Sequence, residues 1–246
     1  MSITQKVLRY GDSSWQRIDI YEPGDSAPRC RAVLIHGGFW RHDRTALDLE
    51  PLACALVARG CGVAVLEYRP VWDGGAFPAS VQDCVAAMAA LEGSDERWRD
   101  AVVTGHSAGG HLALSALAGR AGKRRVVLLA PVTDLESAAE LEVGDGAIGH
   151  FLAKHHAVGG RTVEAVPVIG SADVTELVVV QAENDQAVPS ALMDRQVARW
   201  RHDGLPVTHH LVAGARHMHL VNPQRGGSDV TMALLTGAEL STGNPR

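Results

Sequence analysis

The chain has 246 residues, 46% of them hydrophobic and 21% charged, with a formal net charge of -5 at neutral pH. That length suits one large α/β domain spanning 1–246, and the composition excludes both a disordered chain and a membrane-embedded one. The densest basic run, Lys123-Arg124-Arg125, leads straight into an apolar stretch, so no nucleic-acid surface is expected.

Met1 to Trp15 is polar and lacks the apolar core of a secretion signal, and no later window approaches the ~18 uninterrupted apolar residues of a membrane span. The expectation is a cytoplasmic protein with no membrane contact. Cys30, Cys54, Cys61 and Cys84 fall at irregular spacing without a paired CxxC, and are expected as reduced, mostly buried thiols.

In chain order, Lys6 to Tyr10 and Gln16 to Tyr21 alternate as a leading antiparallel hairpin would. Short apolar, β-branched runs follow at Ala32 to Ile35, Gly62 to Leu66, Ala101 to Val103, Val126 to Leu129, Leu177 to Val180 and Val207 to Val212. The first five are almost continuously apolar, as parallel strands covered on both faces are. Between them lie helical patterns. Leu52 and Leu56 precede a stop at Gly60, and Val81, Cys84, Val85, Met88 and Leu91 form a stripe at helical spacing. Further helices are expected after Ser107, over Ser190 to His202, and ending at Val230 to Leu235. The sum is a mostly parallel eight-stranded α/β sheet with helices on both faces and ligands beyond the carboxyl ends of the strands. The stretch 136–173 breaks the rhythm and reads as a small lid-like insertion. Residues 237–246 read as a frayed tail.

The strongest chemical signal is Gly105-His106-Ser107-Ala108-Gly109, placed directly after an apolar run and before a helical one. A nucleophilic serine needs a sharp strand-to-helix turn, and glycines two positions either side let the backbone bend. The turn also aims the Ala108 N–H and the helix dipole at a bound carbonyl oxygen. The second signal, His36-Gly37-Gly38-Phe39-Trp40, again ends a strand. Main-chain donors from Gly37, Gly38 and Phe39 would complete an oxyanion hole with Ala108.

The acid should follow the serine, near the end of a late strand. Asp185 is favoured within Gln181-Ala182-Glu183-Asn184-Asp185; Glu183 and Asp134 are the alternatives. The base should be a histidine after the last strand, where His217 is favoured over His219. His209 and His210 lie within a strand and read as structural. His106 and His111 flank the nucleophile as packing or supporting groups, with His106 a pocket candidate. Trp40 and Trp72, with Phe39, are candidates to line an acyl or aromatic pocket, ordinary core aromatics being the alternative. The histidine spacings match no zinc pattern, so no metal and no cofactor are expected.

Over roughly residues 30 to 222 the chain resembles the α/β-hydrolase superfamily, and within it the branch of hormone-sensitive-lipase-like esterases and kynurenine formamidases. His36-Gly37-Gly38-Phe39-Trp40 looks like the H-G-G-x-W of the formamidases, and Gly105-His106-Ser107-Ala108-Gly109-Gly110-His111 like the elbow common to the branch. Glu67-Tyr68-Arg69-Pro70, then Phe77-Pro78-Ala79 and the helix with Asp83, are also similar to the family's intervening region. The chain departs at the histidine, with Arg216-His217-Met218 where formamidases usually place Asp-His-Phe. The resemblance implies the α/β-hydrolase fold and serine chemistry. The expected function is hydrolysis of a small ester or amide through an acyl-enzyme, leaning to an arylformamidase-like activity. A short-chain carboxylesterase is the runner-up. A non-catalytic ligand-binding protein on the same fold and an acyltransferase stay open as rivals, and so does the oligomeric state, with a homodimer among the options.

Overall fold

The computed structural model describes residues 2–239; from residue 240 on, the expected frayed tail lies outside the described residues. Among the described residues, eight strands form one sheet: β1 Ile3–Arg9, β2 Arg17–Pro23, β3 Cys30–Ile35, β4 Cys61–Leu66, β5 Val102–His106, β6 Arg124–Leu129, β7 Val174–Ala182 and β8 Val207–Val212. Their order is β1-β2-β4-β3-β5-β6-β7-β8. The β1–β2 hairpin is antiparallel and β2 runs antiparallel to β4, while the remaining pairs are parallel.

The α-helices are α1 Glu50–Val57, α2 Ala79–Ser94, α3 Ala108–Leu117, α4 Leu135–Glu140, α5 Ala147–Ala157, α6 Ser190–His202 and α7 Ser228–Thr236. Successive strand residues point to opposite faces, so Val33 and Ile35 enter one core while Ala32 and Leu34 enter the other. Helices α2 to α6 cover the first face, and α1 and α7 cover the second. Burial on both sides explains why the central strands read as apolar runs and not as alternations.

Two sequence expectations are corrected. In α2, Cys84, Met88 and Leu91 are buried, but Val85 is 40% exposed and Asp83 turns inward. The buried Asp83 carboxylate accepts from Arg69 Nε and Nη2 at 2.8 Å each and from Gln16 Nε2 at 2.8 Å. Those bonds compensate its desolvation, so a carboxyl group faces the core from α2 while Val85, expected on the apolar stripe, faces outward. Cys30 and Cys61 are not free thiols. They are register partners at the starts of adjacent parallel strands, with Cα atoms 4.7 Å apart, and are joined as a disulfide. Cys54 and Cys84 are free. Among the described residues, no helix is long and apolar enough to cross a membrane.

The irregular stretch 136–173 is helical in part, holding most of α4, all of α5 and a 3-10 turn at Thr162–Ala165. It anchors itself in the core through Phe151, whose ring stacks on Trp40 at 4.0 Å.

Candidate active site

The turn between β5 and α3 leaves Ser107 at φ 54, ψ -122, a conformation that costs an L-residue energy and persists only where neighbours hold it. The Ser107 N–H donates to Leu129 O at 2.9 Å, and Ser107 O accepts from Gly110 N at 2.9 Å and Val132 N at 3.0 Å. The flanking glycines are required sterically. A Cβ on Gly105 would strike the backbone of Gly109, and one on Gly109 would strike the carbonyl oxygens of Ile35 and His36.

That close approach brings the segment after β3 against the elbow. A Cβ on Gly37 would lie 2.7 Å from both Ser107 Cβ and His106 O. Gly38, Phe39 and Trp40 then run consecutively through positive φ, at 97°, 53° and 57°. Among the described residues, the N–H groups of Gly38, Phe39 and Ala108 donate to no protein acceptor.

Behind this loop stands a buried brace that the sequence reading did not assign. His36 Nε2 is 2.8 Å from Glu67 Oε1, and Glu67 Oε2 accepts from Ala46 N at 3.0 Å. Tyr68 stacks on the His36 ring at 4.3 Å and donates its hydroxyl to His36 O at 3.0 Å.

The turn after β7 holds Asp185. Its Oδ1 accepts from Ala187 N at 2.8 Å and Val188 N at 2.9 Å, and its Oδ2 is 2.7 Å from His217 Nδ1. The carboxylate is almost fully buried and the imidazole largely so. The alternative acids are committed elsewhere. Glu183 accepts from Gly214 N at 2.7 Å, and Asp134 caps α4 through Ser137. His209 pairs with Gln181 at 2.9 Å, on β8.

His217 and Ser107 line one cavity of about 500 Å³, together with Gly37, Gly38, Phe39 and His106. No hydrogen bond joins Ser107 Oγ to His217 among the described residues; such contacts often close only around a substrate. His219 lines the same cavity. His106 packs against His217 with ring centroids 4.6 Å apart. Burial, and then the neighbouring His217, hold the His106 imidazole well below its usual range, so it stays neutral. His111 donates Nε2–H to Ala165 O, 2.7 Å away, and burial pushes its pKa down to about 4.

The two tryptophans do not line this cavity. Trp40 is fully buried, between Phe151 and His111. Its ring is packed into the core against these two side chains and does not line the cavity of Ser107. Trp72 is 64% exposed and lies beside His150 on a separate cavity.

A family model described as BD-FAE matches residues 18–199 of the chain. The chain is 28% identical over 122 residues to the kynurenine formamidase of Danio rerio, a match covering 47% of this chain and 40% of that protein. The match therefore spans less than half of that relative's length. Among solved structures, esterase B of Lactobacillus rhamnosis superposes with a TM-score of 0.77 at 20% identity, covering 96% of this chain and 86% of that one. Thermogutta terrifontis esterase 2, phosphonylated by sarin, gives 0.73 at 19% identity over 94% and 92%. The shared architecture is the α/β-hydrolase fold.

Proposed function

The chain belongs to the BD-FAE family, and we propose that it is a serine hydrolase that cleaves small esters through an acyl-enzyme. The observation that carries this reading is the 2.7 Å contact between His217 Nδ1 and Asp185 Oδ2 on the cavity where Ser107 is held at φ 54. A histidine whose Nδ1–H is fixed by a carboxylate leaves Nε2 as the basic nitrogen. Ser107 Oγ attacks the substrate carbonyl carbon while His217 Nε2 takes its proton. The tetrahedral oxyanion is held by the N–H groups of Gly38, Phe39 and Ala108, one such donor being worth about 3 kcal/mol. His217 returns the proton to the leaving group, and water attacks the acyl-enzyme by the same route. Asp185 keeps the imidazole tautomer and stabilises the transient imidazolium.

A small ester is favoured over a formamide by the position of Trp40. The crowding that a pair of rings beside the oxyanion donors would impose is absent once Trp40 faces the core, leaving Phe39 alone on the cavity. Arylformamidase activity is the second reading, supported by the partial match to the Danio rerio enzyme and by His36-Gly37-Gly38-Phe39-Trp40. Gly144 packs against the Phe39 ring, which supports a covering role for the 136–173 segment at the mouth of the site. The readings separate in kcat/KM measured across formyl, acetyl, butyryl and octanoyl derivatives of one aryl leaving group. The ester reading expects acetyl or butyryl to be preferred, whereas a sharp maximum at formyl favours the formamidase.

A further inference from the structure

The cavity beside Ser107 combines apolar wall with charged side chains. Three arginines, Arg41, Arg44 and Arg216, share its wall with two carboxylates, Asp43 and Asp48. Their commitments differ. Arg41 donates Nη2 to Gly144 O at 3.2 Å and so ties the 136–173 segment to the oxyanion loop. Arg44 lies along Gly38, where a Cβ would strike its Cβ and Cγ. That contact fixes the base of the Arg44 side chain beside the oxyanion donors. Its only carboxylate partner among the described residues is Asp48, at 3.5 Å, and both side chains are solvent-accessible. Such a pair contributes little and is readily exchanged for a better anion. Arg216 immediately precedes His217, is exposed, and makes no ion pair among the described residues. Asp43 likewise makes none, and it also faces the second cavity, that of Trp72 and His150.

We infer that the substrate carries a carboxylate, and that Arg216 and Arg44 are the residues that select it. A guanidinium presents two parallel N–H donors that match a carboxylate, and a charge-assisted pair of this kind is about twice as strong as a neutral hydrogen bond. One guanidinium is carried by the loop of the general base and the other by the wall of the oxyanion segment. A carboxylate held between them would position the scissile carbonyl over Ser107 without using the catalytic groups. The apolar part of the wall, Phe39, Ala187 and Met218, suits a hydrocarbon body joining ester and acid.

This inference rests on the serine-hydrolase reading, and its test separates the two. Two pairs of aryl esters carry the charge on opposite sides of the scissile bond: para-acetoxyphenylacetate against its methyl amide, and an aryl adipate monoester against its methyl diester. In each pair the neutral partner keeps the same reacting bond. At low ionic strength the charged member of at least one pair should have a kcat/KM roughly tenfold higher, and the ratio should shrink in about 0.5 M salt. Arg216→Glu or Arg44→Glu should bring that ratio to unity or invert it; because each ratio is taken within one protein preparation, a partly unfolded variant does not distort it. Charged members preferred in neither pair, or a preference that survives both substitutions, overturns the inference. Failure to hydrolyse any of the four esters overturns the hydrolase reading instead.

Discussion

His36 and Glu67, 31 residues apart in the chain, form a buried contact of 2.8 Å directly behind the loop of Gly37 and Gly38. Both side chains are essentially inaccessible, and Glu67 also receives the N–H groups of Ala46 and Tyr68. The loop carrying Gly38 is therefore braced from inside the core, which in the proposed mechanism preorganises its N–H donors before substrate arrives.

Glu67→Gln replaces one accepting oxygen by a donor, so one of these N–H groups must lose its partner. Stability should drop by about 1–3 kcal/mol. If the brace serves the donors, kcat should also fall several-fold with little change in KM. Steady-state kinetics and urea unfolding of the same variant check both, and a kcat equal to wild type would restrict Glu67 to a stabilising role.

The two histidines of the β8 loop are expected to behave differently. His217→Ala should reduce kcat by about 10⁴-fold or more, whereas His219→Ala should change it by less than about tenfold. Combining Ser107→Ala with His217→Ala should be scarcely worse than either change alone, because triad members act as a unit. A larger loss from His219→Ala would assign the base to the other imidazole.

Stability should depend on pH through His111. Its pKa in the fold is about 4, below the ordinary value of 6.5 expected when unfolded. Between those values the unfolded chain binds more protons than the native one, so stability is complete above about pH 6.5 and declines as pH falls toward 4. The limiting slope for one proton is about 1.4 kcal/mol per pH unit. Buried, neutral His106 contributes in the same direction. His111→Gln keeps a donor for Ala165 O and cannot titrate, so urea midpoints measured from about pH 7 to pH 4 should fall less steeply in that variant.

The pairing of Cys30 with Cys61 leaves Cys54 and Cys84 as thiols. Denatured without reductant, the protein should react with a thiol reagent at two positions, and at all four only after reduction. Oxidising compartments favour such a bond, so the count bears directly on where the chain works.

What could be read from the sequence was what is encoded locally. The elbow at Ser107 announces itself because strand, glycines, serine and helix are contiguous, and the glycine pair at 37–38 does so for the same reason. The choice of Asp185 rested on chain order and on its place in the turn after a late strand; the structure puts it 2.7 Å from His217 Nδ1, while Glu183 and Asp134 bond to Gly214 and Ser137. Contacts that depend on strand adjacency were not legible. The sequence separation of 31 between Cys30 and Cys61 gives no sign that both begin neighbouring strands, and the buried role of Glu67 requires β3 and β4 side by side. Of the two readings of Trp40, pocket aromatic or core aromatic, the structure shows the second, through a stack on Phe151 that is far away in the chain.

The central claim, that Ser107 is an activated nucleophile, is tested most directly by covalent labelling with a fluorophosphonate followed by peptide mapping. A phosphonyl group should appear on the peptide containing Gly105-His106-Ser107-Ala108-Gly109, at a rate that falls with His217→Ala and is abolished by Ser107→Ala. Absence of labelling in a folded wild-type protein, or labelling at another residue that persists in Ser107→Ala, would contradict the account.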